Sequence, residues 1–91
     1  MPADYTLPDV LNTQGAGDML DAISACRGND LAVDASGVRH LGAQAMQILL
    51  AAQTTWDVDQ KHFHLCNISD EMRRGLELLG ADGVLREGGA I

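Results

Sequence analysis

Two short apolar runs in the 91-residue chain, Leu31-Ala32-Val33 and the alternating stretch Lys61 to Asn67 (KHFHLCN), are separated by helical periodicity from Ala43 to about Asp57. Strand, helix and strand in that order are the parts of a βαβ unit, which joins parallel strands through a right-handed crossover. This constrains the fold more than composition does. The first run is bounded by turn residues and ends at Asp34, as a short buried strand would. The second places Phe63 and Leu65 on one face and His62, His64 and Cys66 on the other. Along the intervening helix Met46, Leu49, Leu50 and Gln53 mark one stripe. Ala45, Ile48, Ala52 and Trp56 widen it, while Gln44, Gln47 and Thr54 lie toward the opposite side. The segment Ala35 to Gly42 reads as a loop.

The flanks extend the same pattern. Asp4 to Leu11 (DYTLPDVL) reads as extended, with Pro8 excluding a fully paired central strand. Asn12 or Thr13 offers an N-cap, Met19, Leu20, Ile23 and Cys26 recur at helical spacing, and Asp18 and Asp21 are placed near that helix's start, where the macrodipole favours anions. Gly28-Asn29-Asp30 stops it. Ser69 is expected to cap a third helix with Asp70 and Glu71 in its first turn, Met72, Leu76 and Leu79 as its apolar stripe and Gly80 just past its end. Gly83 to Ile91 adds at most one short element before fraying, with Gly88-Gly89 as a flexible tail. The expectation is a single α/β domain over residues 1–91 with a mostly parallel sheet. Ligands or partners of such sheets meet the loops after the strands' carboxyl ends, here a rim of Asp34 to Gln44 and Asn67 to Asp70.

Composition removes several functions. Thirteen acids against six bases give a formal net charge of −7, the wrong sign for nucleic acid, which requires clustered Lys and Arg. The start, with Asp4 and Asp9 and neither a basic nor an apolar region, is not a secretory signal. The longest apolar stretch, Ile48 to Ala52, falls far short of the roughly 20 residues of a membrane span, so no membrane insertion is expected. Cys26 and Cys66 form no CxxC and suit reduced, buried thiols in a cytoplasmic protein.

Candidate chemistry is sparse. Asp34 lies where a receiver domain would carry its phospho-acceptor, but no acidic pair follows the first strand and Lys61 is the sole lysine. Its carboxylate is expected to close the turn through Ser36 and Gly37. His62, His64 and Cys66 could form a zinc site, an H-x-H pair being a ligand pattern, yet no fourth ligand stands at a recognisable spacing. Ser24, Ser36 and Ser69 lack a nucleophile-elbow context. Gly15-Ala16-Gly17, read as preceding a helix, lacks the Lys and Ser/Thr of a phosphate loop. No constellation argues for catalysis, a metal or a cofactor, and the pattern is that of a binding module.

The stretch Leu31–Leu50, LAVDASGVRHLGAQAMQILL, resembles the core of STAS domains, the fold of bacterial anti-sigma factor antagonists. In those an apolar strand ends in Asp, a Ser-Gly-Val turn follows, and Asp-Ser-Ser-Gly-Leu opens a helix. Val33-Asp34-Ala35-Ser36-Gly37-Val38 matches the first half, and Leu41-Gly42-Ala43-Gln44-Ala45-Met46 corresponds to the second. His64 to Ser69 and Arg74 to Gly80 are similar to the family's closing strand and leucine-glycine helix. In phospho-regulated members the second serine of the helix-opening motif is phosphorylated by a partner kinase. Gln44 occupies that position, with Gly42 and Ala43 replacing the preceding Asp and Ser, and an amide cannot accept a phosphoryl group there.

Gln at this place, followed by Met46-Gln47-Ile48-Leu49-Leu50-Ala51-Ala52, is similar to the small STAS proteins of bacterial chemotaxis clusters. The resemblance implies a non-enzymatic signalling protein that binds a chemotaxis histidine kinase or kinase-like regulator. Its expected docking rim comprises Ser36, His40, Gly42, Ala43, Gln44 and Gln47, with Asn67 and Ser69 alongside. Gly42 and Ala43 would leave room for a partner's backbone. A STAS subunit of a lipid-transport ABC complex is the first alternative, and a small metal-binding module using His62, His64 and Cys66 is the second.

Overall fold

The computed structural model describes residues 4–81 and 83–87. Short strands β1 (Tyr5–Thr6) and β2 (Val10–Leu11) precede helix α1 (Thr13–Ser24). Then follow β3 (Leu31–Asp34), β4 (His40–Leu41), α2 (Ala43–Val58), β5 (Phe63–Cys66) and α3 (Asp70–Leu78). The architecture is α/β, as expected, and among the described residues every strand pairing is parallel. One sheet has the order β1-β3-β5, with Val33 opposite both Tyr5 and Leu65. The other pairs β2 with β4, Leu11 opposite Leu41. A further parallel bridge between Leu65 and Glu87 brings the C-terminal segment alongside β5. The expected fraying beyond it, with Gly88-Gly89, lies outside the described residues.

The segment read as extended therefore serves two sheets. Leu7 donates its amide to the Asp34 carbonyl, and the chain then passes through Pro8, which has no amide to donate, before pairing again at Val10. β4 lies inside what reads as a loop, a two-residue strand that exists only through its pairing with β2.

α1 and α2 pack against each other, α2 also contacts β5, and α3 packs on β4. One core unites Leu11, Met19, Val33, Leu49, Leu65 and Met72. The buried positions of α2 are Ala45, Leu49, Ala52 and Trp56. Its stripe is thus centred on the residues expected only to widen it, with Met46, Ile48 and Leu50 half-buried. Gln53 leaves the apolar stripe. Its amide donates to the Val84 carbonyl at 3.0 Å and accepts from the Arg86 amide at 2.6 Å, clasping the C-terminal segment to α2.

The caps explain where two helices begin. Asn12 accepts from the Gly15 amide at 3.0 Å, satisfying one of the orphan donors of α1. Asp18 and Asp21 lie beyond its first turn, contrary to expectation, because the helix already starts at Thr13. Gly15 and Gly17 fall inside α1 rather than ahead of it, which removes the comparison with a phosphate loop. Past α3, Gly80 takes φ +72°, the left-handed conformation expected of it.

Three exposed ion pairs, Arg27–Asp59, Arg73–Glu87 and Arg86–Asp57, join element ends. The hydrogen bond from Arg86 holds the Asp57 carboxyl below its usual range, and Arg27 and Arg73 do the same for Asp59 and Glu87. Being exposed they contribute little and are screened by salt. Among the described residues no helix is long and apolar enough to cross a membrane.

Candidate docking site

The loops after β3 and β5 are stitched into one rim. The Ala35 amide donates to the Cys66 carbonyl at 2.9 Å, and the Ser69 amide donates to the Ala35 carbonyl at 3.2 Å. The Asp34 carboxylate accepts from the Ser36 amide at 2.9 Å, the expected turn closure, and leaves Ser36 exposed. Asn67 is exposed at φ +54°, a left-handed conformation that Asn tolerates better than most residues. The loops that carry Ser36 and Asn67 are thereby joined through Ala35.

Ser69 belongs to this rim by position, but its hydroxyl is spent internally. It donates to the Val38 carbonyl at 2.5 Å and accepts from the Met72 amide at 3.1 Å, and the residue is half-buried. It caps α3 as expected and also anchors the loop that leads to β4. Ser69→Ala should lower stability by about 1–2 kcal/mol, through loss of the cap and an unpaired Val38 carbonyl. Urea unfolding monitored by circular dichroism checks this.

The second group of rim residues opens α2. Ala43, Gln44 and Gln47 are exposed. Gly42 is the N-cap in an extended conformation with no side chain to cap the first turn, unlike Asn12 at α1 and Ser69 at α3. The positive end of the α2 dipole is therefore uncovered by the chain's own side chains, with the Gln44 amide in the same turn. Gly42 itself is half-buried. Its amide donates to the Leu11 carbonyl at 2.9 Å, and a Cβ there would stand 2.8 Å from that oxygen. The close approach that requires glycine is to β2, which corrects the expectation that Gly42 leaves room for a partner. His40, exposed on β4, pairs with Val10 and donates its amide to the Asp9 carbonyl.

The zinc constellation does not assemble. His62 is exposed ahead of β5, its amide bound to the Asp30 carboxylate at 2.9 Å. His64 is half-buried and Cys66 fully buried, so the face opposite Phe63 and Leu65 is covered at its Cys66 end. Burial pushes the Cys66 thiol up from its ordinary pKa, with Asp34 and Asp4 adding to the effect, which disfavours the thiolate a metal needs. Among the described residues no group of three His, Cys, Asp or Glu side chains could hold a metal ion.

The sequence reading passed over a groove between β4 and α3, which Arg39, Arg74 and Leu78 help to line. The available signal was Leu78, which falls outside the Met72–Leu76 stripe and is 82% exposed. Leu79, expected in that stripe, is itself 38% exposed.

No curated protein matches the chain. A family model described as "Mlab, STAS domain" matches residues 6–87, almost the whole sequence and all of the elements from β2 to α3. STAS domains are generally binding modules without catalytic activity, which agrees with a rim of exposed polar side chains around an open helix start. By this match and by its parallel-stranded α/β architecture, the chain belongs to the STAS-domain family.

Proposed function

We propose that this chain acts in the cytoplasm as a single-domain, non-enzymatic adaptor that docks on a signalling partner through the Gln44 rim. The partner is a chemotaxis histidine kinase or kinase-like regulator, as the resemblance to small chemotaxis STAS proteins implies. The observation that carries this reading is the exposed Gln44 amide in the uncapped first turn of α2. Phospho-regulated relatives carry a hydroxyl in that place. A Gln side chain there offers a fixed donor and acceptor, so binding follows partner concentration rather than phosphorylation state. Ser36, His40, Ala43, Gln47 and Asn67 supply the exposed surroundings.

The second reading is a STAS subunit of a lipid-transport ABC complex, favoured by the Mlab designation of the matching family model. Affinity purification of the tagged chain from its own cells, followed by mass spectrometry, separates the two. Recovery of a histidine kinase or kinase-like protein is the expected result. Recovery of a transporter ATPase in its place would transfer the rim to the second reading.

A further inference from the structure

Three of the chain's six basic side chains are occupied, Arg27, Arg73 and Arg86 each being paired with a carboxylate. Arg39 and Arg74 form no ion pair among the described residues, and both line one groove of about 350 Å³ between β4 and α3. Its base is apolar. Leu41 is buried, and a Cβ on Gly75 would sit 3.1 Å from the Leu41 Cβ, so the missing side chain lets α3 lie close against β4 and keeps the base low. Leu78 and Leu79 form an apolar wall, and Leu78, 82% exposed, is the most exposed large apolar side chain among the described residues. His40 stands at the edge where the groove meets the rim, and Glu71 contributes the single lining carboxylate.

Two arginines against one glutamate make the lining net positive on a chain whose formal charge is −7. Two adjacent exposed leucines beside unpaired guanidinium groups combine the apolar and arginine content that is enriched at protein interfaces. Guanidinium groups match carboxylates through paired N–H donors. The geometry points to this groove as the docking site of an acidic amphipathic segment of another protein. Its apolar side chains rest on Leu41, Leu78 and Leu79, and its carboxylates bind Arg39 and Arg74. A short segment seated in the groove contacts the Arg39 and Arg74 guanidinium groups directly, whereas Asp70 and Glu77, which flank Arg74, lie outside the groove's lining. An anionic membrane surface would also face the acids of the rest of the chain, which repel it. The surface adds to the Gln44 rim and does not depend on that rim's partner being a kinase.

The test follows amide chemical shifts of the whole chain by NMR during titration with a synthetic helix of Glu-Glu-Leu-Leu repeats. A Lys-for-Glu version serves as control. The expected shifts cluster at Arg39 to Leu41 and Arg74 to Leu79, and the basic helix leaves them unmoved. The double variant Arg39→Glu/Arg74→Glu should weaken binding at least ~10-fold, the response of direct charge contacts. Leu78→Ser, at an exposed site, should weaken it without disturbing the fold, and Gln44→Ala should leave it unchanged. The proposal is overturned by equal binding of the basic helix or by undiminished affinity of the double variant. It is equally overturned by groove shifts that arise on concentrating the free protein, or by a response to phosphatidylglycerol vesicles without one to the acidic helix. None of these results bears on recovery of a kinase by affinity purification.

Discussion

Phe63→Ala should lower the unfolding free energy by about 3–5 kcal/mol, the range for truncating a core aromatic. Phe63 is 1% exposed, opens β5 opposite Leu31, and packs against Trp56, itself 2% exposed, with ring centroids 5.6 Å apart and planes tilted by 53°. The substitution removes the buried ring, leaves a cavity, and abolishes an aromatic pair that adds about 0.5–1.5 kcal/mol beyond burial. A chain of this size has roughly 5–14 kcal/mol of stability in total, so the variant is marginal at 25 °C. The only tryptophan is the natural reporter. Its indole N–H donates to the Asn29 carbonyl at 2.7 Å, so β5, α2 and the turn before β3 report together. Urea titration followed by Trp56 fluorescence measures the loss. A midpoint within error of the wild type would contradict the packing described.

Gly15→Ala and Gly17→Ala should act in opposite directions although both residues lie in α1. A Cβ on Gly15 would collide with the Val10 carbonyl oxygen and stand 3.3 Å from its carbon. Backbone, not a movable side chain, blocks it, and relief requires separating β2 from the helix that Asn12 caps. Overpacking of this kind costs about 1–3 kcal/mol, occasionally more. A Cβ on Gly17 meets nothing within 4 Å, and the residue is exposed. Alanine there removes the glycine penalty in a helix and should stabilise by roughly 0.5–1 kcal/mol. Thermal melts of the two variants, recorded side by side, show melting temperatures on either side of the wild type. Two shifts of the same sign would mean that α1 and β2 do not meet as described.

What the sequence discloses depends on how local its cause is. β3 and the boundaries of α2 and α3 are legible because apolar runs, turn residues and the Ser69 cap lie within the segments they define. β2 and β4 are not, since two-residue strands have no periodicity and each is defined by the other. The buried line of α2 is only partly legible, because aliphatic and small residues surround the helix on several sides and periodicity alone does not orient it. The same division holds at the rim. Exposure of Ser36, Gln44, Gln47 and Asn67 follows from helix phase and turn chemistry. The requirement for glycine at position 42 and the internal use of the Ser69 hydroxyl arise from the Leu11 and Val38 carbonyls, which are distant in sequence. Arg39 and Arg74 share a groove only because α3 packs on β4.

The proposed docking surface is an unphosphorylated α2 start bearing Gln44. Titration calorimetry with the partner recovered by affinity purification tests it most directly, using the wild type and Gln44→Arg, each with and without ATP. Gln44 is exposed, so its substitution leaves the core intact. The wild-type Kd should not change with ATP, and no phosphate should be transferred to this chain. The Gln44→Arg protein should bind at least ~10-fold more weakly, the scale expected where a central contact of an interface is lost. A Gln44→Arg protein that binds as tightly as the wild type would contradict it.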